Sequence, residues 1–210
     1  MNAAAEFTAA LPEPRVILGL KLLPLSLGRY RLLKRFDCPF IADEEREIPV
    51  QDMIGELVFA LVVCGLPCSE FNDLIVNGGL EGECRKFGKV MAKVISKTKN
   101  FSIYESMGEF KIFLEEAQST PWHVVKTNSL ESESVSHWSH SIEVTLRSRV
   151  GWTKEEIEEQ PMQKALCDFF KFVESEGAVR LMSHEAHSMM MDTGEANGVA
   201  LMDMMKGMNN

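Results

Sequence analysis

The chain has 210 residues, 45% of them hydrophobic and 25% charged, which is enough for one sizeable core or two small ones. Its net charge of -9 argues against non-specific nucleic-acid binding, because a phosphate backbone selects basic surfaces. Five irregularly spaced cysteines, Cys38, Cys64, Cys68, Cys84 and Cys167, do not form a disulfide framework and point to a reducing compartment.

Residues 1–15 are Ala-rich and contain Leu11-Pro12-Glu13-Pro14, which reads as a mobile arm. They lack a basic stretch followed by an apolar one, so no signal peptide is expected. Val16 to Leu22 is apolar and partly alternating, either a strand or a tight lead-in. Pro24-Leu25-Ser26 then starts a helix with Leu27, Tyr30, Leu33 and Phe36 on one side. Arg29, Arg31, Lys34 and Arg35 occupy much of the rest. Cys38-Pro39 ends this helix, since the residue before a proline is pushed out of the helical region.

An acidic loop follows at 43–47, and Pro49 opens the next helix, Val50 to about Cys64. After Glu56 it is apolar on nearly all sides, which predicts a buried central helix. The apolar run Leu57 to Leu66 is too short to span a bilayer. Gly65 closes the helix. Pro67 and Ser69 open a short one, Glu70 to Val76, broken at Asn77-Gly78-Gly79. From Glu83 to Thr98, Phe87, Val90, Met91, Val94 and Ile95 make a helical stripe beside a ridge of Lys86, Lys89, Lys93 and Lys97. Ser102 to Gln118 is a further helix, with Ile103, Met107, Phe110 and Leu114 inward and Glu105, Glu109, Glu115 and Glu116 outward. A basic helix followed by an acidic one predicts an antiparallel pair. The lysine ridge then either pairs internally or meets an anionic partner.

Residues 119–135 are polar and serine-rich, a linker or loop. His137 to Arg149 carries Trp138, Ile142 and Leu146 at four-residue spacing. Thr153 and Glu156 match a capping box, and Pro161 starts the clearest amphipathic helix in the chain. Met162, Ala165, Leu166, Phe169, Phe170, Phe172 and Val173 lie in one arc of it; Gln163, Lys164, Asp168, Lys171, Glu174 and Ser175 lie in the other, with Cys167 on the polar side. Gly177 supplies the left-handed position after its end, and Ser183 starts a last helix to about Met191. The expected fold is therefore mainly α. A helical core domain at 16–118 is followed by the 119–135 linker, a small C-terminal helical unit at 136–191 and a disordered tail at 192–210.

No catalytic constellation stands out. His137/His140 and His184/His187 are pairs spaced three apart, whereas the zincin motif spaces its histidines four apart with a glutamate between. Exposed polar surface is the plainer reading. Cys64 and Cys68 lack the second pair that a zinc site needs. Gly78-Gly79-Leu80-Glu81-Gly82 has neither the order of a dinucleotide loop nor the Walker lysine. No catalytic residue, metal or cofactor is assigned.

The last third resembles tail assembly chaperones encoded in tailed-phage and prophage operons. The similarity rests on Gly151-Trp152-Thr153, Glu155-Glu156-Ile157, Gln160-Pro161-Met162, Ala165-Leu166-Cys167-Asp168-Phe169-Phe170 and Glu174-Ser175-Glu176-Gly177. Leu18 to Gly28 also looks like the openings of such proteins. The resemblance implies a small, non-enzymatic helical protein. It would hold the tape-measure protein in the bacterial cytoplasm before the tail tube polymerises, without nucleic-acid or membrane partners. A structural tail component is the alternative, and a metal-dependent enzyme using the histidine pairs a more distant one. Methionine repacks against varied partners. The expected client surface is accordingly Phe169, Phe170, Phe172, Val173, Met182, Met189 and Met190. Otherwise, the phenylalanines close the protein's own core.

Overall fold

A computed structural model describes residues 15–41, 49–121, 123–125, 138–183 and 185–189. The fold is mainly helical, as the spacing predicts. The expected arm, the acidic loop and the 192–210 tail lie outside the described residues, apart from Arg15 at the arm's end.

Val16–Ile17 (β1) and Leu20–Lys21 (β2) form an antiparallel hairpin, pairing Val16 with Lys21 and Ile17 with Leu20. Both turn residues have positive φ, Leu18 at 51° and Gly19 at 79°, the tight geometry that matches strand twist. Ile17 and Leu20 are buried, and the Leu23 N–H donates to the Cys64 carbonyl at 2.9 Å, fastening the hairpin to the central helix.

Helix α1 spans Leu27–Arg35, and its N-cap Ser26 accepts from the Arg29 N–H. Helix α2 spans Val50–Gly65; from Leu57 to Cys64 every residue is buried except half-buried Phe59. Its all-round hydrophobicity is thus matched by all-round cover from α1, β2, α4 and α5. Helix α3 is Cys68–Val76, α4 Leu80–Ile95 and α5 Ile103–Ala117, the last N-capped by Ser102. The start of α4 lies three residues before the expected Glu83, so Glu81 and Glu83 fall in its first turn, where carboxylates suit the helix dipole.

The expected antiparallel pairing of the basic and acidic helices is corrected. Helix α4 packs on α2, α3 and β2, while α5 packs on α2 and β1, so the two share α2 rather than a long mutual interface. Lys86 pairs with Glu83 of its own helix at 2.6 Å, and Lys89, Lys93 and Lys97 form no ion pair among the described residues.

Of the expected linker, 122 and 126–135 lie outside the described residues. His123–Val125 within it is a strand, β3, antiparallel to β4 at Val179–Leu181 in the register His123↔Leu181 and Val125↔Val179. Helix α6 is Trp138–Thr145, continued by a π-helical turn at Leu146–Val150. Gly151, at φ 89°, ends that turn and lets the Trp152 N–H reach the Leu146 carbonyl at 3.0 Å. Helix α7, Lys154–Glu159, carries the predicted capping box between Thr153 and Glu156. Helix α8, Met162–Ser175, follows Pro161, and Gly177 takes φ 82° past its end.

One buried cluster runs from Ile17 to Leu166 and draws on α1, α2, α5, α6, α7 and α8. The cluster thus takes residues from both sides of 119–135. A polar fastening joins the two halves as well. Arg29 is 1% exposed; its guanidinium donates to the Leu66 carbonyl at 3.1 Å, the Pro24 carbonyl at 3.2 Å and Glu159 at 2.6 Å. Glu159 also accepts from the Cys68 N–H at 2.7 Å, occupying the N-terminus of α3, which no side chain of its own caps. Beside it, the Ser26 hydroxyl donates to the Glu158 carbonyl. Gly28 makes the approach possible: a Cβ there would lie 2.7 Å from the Glu158 Cα. The carboxylate of Glu159, unhelpful to its own helix dipole, thus serves α1 and α3 instead, while Glu158 contributes its backbone carbonyl.

Candidate functional site

Between α6, the start of α8's exposed half and the end of α5 lies a groove of about 540 Å³. Trp138, Ser141 and Ile142 come from α6, and Leu166, Phe169 and Phe170 from α8; Gln118 and Thr120 complete the lining. The four-residue step from Trp138 to Ile142 puts both on one face of α6, one helical turn apart. Leu166, Phe169 and Phe170 sit at the same three- and four-residue spacing on α8.

The walls are fixed from behind. The Trp138 ring packs on Tyr30 at 5.1 Å between centroids, yet the residue stays 38% exposed. Phe170 lies 4.3 Å from the His123 ring and meets Phe169 edge-on at 5.4 Å. Cys167 and Leu181 pack beneath Phe170, so the β3–β4 pair buttresses the α8 wall. Gln163, on the arc expected to be polar, is buried too: its amide donates to the Glu116 carbonyl at 2.7 Å and ties α8 to the end of α5.

Among the described residues no titratable side chain lines this groove. It can bury apolar side chains, with Thr120 and Gln118 as polar side chains in its lining.

Of the residues expected to meet a client, Phe169 and Phe170 line the groove. Phe172, Val173 and Met182 are half-buried outside its lining, Met189 is exposed, and Met190 lies outside the described residues. Three apolar residues were missing from the expected surface: Trp138, Ile142 and Leu166. Their helical stripes are visible in sequence, but the meeting of the two stripes is not.

The other candidates do not assemble. His140 is exposed and His187 half-buried, while His137 and His184 lie outside the described residues. Among the described residues no three His, Cys, Asp or Glu side chains form a group able to hold a metal. Cys38, Cys64, Cys68 and Cys167 are buried free thiols. Burial pushes the Cys38 and Cys68 thiols up to about 11 and raises Cys64 and half-buried Cys84 as well. Such thiols are protonated at neutral pH and poor nucleophiles. Cys167, expected on the polar side of its helix, packs instead against Leu181. Among the described residues no helix is long and apolar enough to cross a membrane.

No protein-family model, curated protein or solved structure matches this chain.

Proposed function

We propose that this is a non-enzymatic binding protein whose groove receives apolar side chains of a helical client. In keeping with the resemblance of its last third, the client is the tape-measure protein and the setting is tail assembly in the cytoplasm of a bacterial host. The observation that carries the binding role is the groove itself: two aromatic residues of α8 face a third on α6, across a space lined by no charged group among the described residues. Such a lining favours an amphipathic helix presenting residues at three- and four-residue spacing. The alternative role, a structural tail component, uses the same surface but a permanent partner.

The test is co-expression of the full chain with the tape-measure protein of its own genome, comparing the natural protein with Phe169→Ser and Trp138→Ser. A chaperone raises the soluble yield of the client and co-purifies with it, and both variants lose this while keeping their helical circular dichroism. A client equally soluble with the variants would overturn the reading. Recovery of the protein in finished particles would replace the chaperone role with the structural one.

A further inference from the structure

On the other side of α6 lies a second groove, of about 260 Å³, between α1, α3, α7 and the π-helical turn. Its charged lining is Arg31, Arg35, Arg147 and Lys154 against Glu143 and Glu158. In a chain of net charge -9, four cations facing two carboxylates is a local reversal of sign. Both carboxylates are already engaged. Glu143, only 14% exposed, is held by Arg31 and by Arg147 at 3.7 Å, and Glu158 by Lys154 at 3.6 Å. Arg35 forms no ion pair among the described residues; its guanidinium lies 5.8 Å from the ring of Phe36. The described lining therefore carries two more positive charges than negative ones.

Arg147 stands at the start of the π-helical turn, four residues beyond Glu143 and so on the same face. Arg147 and Arg31 thereby flank Glu143. A concave surface with an excess of one sign concentrates counter-ions more strongly than the same charges on a flat face.

We propose that this groove binds carboxylates of an acidic protein segment, as the second contact of a partner lying across α6. Arginine forks match a carboxylate edge-on. A nucleic-acid backbone fits less well, because the chain as a whole carries a net charge of -9; free phosphate is told apart by competition. The proposal rests on the binding role inferred above only for the identity of the partner: apolar anchors on one side of α6, acidic residues on the other.

The experiment needs no client. Fluorescein-labelled deca-glutamate is titrated with the full-length protein, with inorganic phosphate and a single-stranded oligonucleotide as competitors. Binding is expected at low salt and is lost as salt is added. Arg35→Ser together with Arg147→Ser is expected to weaken it about tenfold and Arg35→Ser alone about threefold, the single change touching no ion pair and so leaving the fold intact. Phe169→Ser is expected to leave it unchanged, so failure of this groove and failure of the apolar one are read separately. Absence of binding at low salt, or equal binding by the double variant, overturns the proposal; the latter moves the contact to the lysine ridge of α4. Stronger competition by phosphate or oligonucleotide than by unlabelled deca-glutamate overturns it in favour of a phosphate ligand.

Discussion

In α2, the apolar run Leu57–Cys64 is closed in on every side, because α1, α4, α5 and the hairpin all lie against it. In α8 the burial changes along the helix. Met162, Ala165, Leu166 and Cys167 are buried, whereas Phe169, Phe170, Phe172 and Val173 are only half covered. The side chains are equally hydrophobic in the two places. What differs is the supply of neighbours. The first turns of α8 are pinned by the Met162 N–H donating to the Leu25 carbonyl at 2.7 Å and by Gln163 on Glu116. Its later turns have β4 and His123 on one flank and the groove on the other. Apolar surface left half open beside a fixed wall is the kind of feature that marks an interaction site rather than a core.

That contrast can be broken by measurement. Leu61→Ala should cost about 2–5 kcal/mol in chemical denaturation, the usual loss for a buried leucine with its cavity; under about 1 kcal/mol would show that α2 is not the centre. Glu159→Ala should cost about 2–3 kcal/mol, below the full buried-pair range because Glu159 is 40% exposed although Arg29 is 1% exposed. A neutral result would mean that water replaces the carboxylate and that the halves are held by apolar contact alone. Gly28→Ala should cost about 1–3 kcal/mol, since the methyl meets backbone rather than a yielding side chain.

The buried thiols give the core a pH signature. Their folded pKa values lie above the 9.0 of a free thiol, at about 11 for Cys38 and Cys68. Between those limits the unfolded chain releases thiol protons and the folded chain keeps them. Stability should therefore be intact below pH 9 and fall as pH rises toward 11, by up to ~1.4 kcal/mol per pH unit for each such thiol. Replacing Cys38 and Cys68 by alanine should flatten that slope; an unchanged slope would assign it to other groups.

The smallest stability effect is expected at the groove. Phe169→Ser should cost about 1 kcal/mol, roughly half the value of a fully buried side chain, while abolishing client binding. A loss as large as that of Leu61→Ala would erase the distinction between the two helices and make Phe169 a core residue.

Several features were legible in the sequence because they depend on residues near one another in the chain. The Thr153–Glu156 capping box, the Pro49 and Pro161 starts, the Gly177 stop and the Phe169/Phe170 arc all belong to this group. So does the burial of α2, since a helix apolar on every side has no other stable place. The lysine and glutamate helices misled for a matching reason. Charge complementarity permits their pairing, but the apolar stripes choose the neighbour, and both choose α2.

What only the tertiary structure decided are the long-range meetings. Nothing near Arg29 in the chain announces that it is buried; its partner Glu159 lies 130 residues away, in a segment whose charges read as a solvated helix face. His123–Val125 is too short and too polar in its surroundings to declare a strand until Val179–Leu181 arrives to supply its hydrogen bonds. The groove follows the same rule. Each of its walls is a local periodicity written in the sequence, but their separation, and hence whether Phe169 faces a neighbour or an open space, is set by how α6 and α8 are held by the rest of the fold.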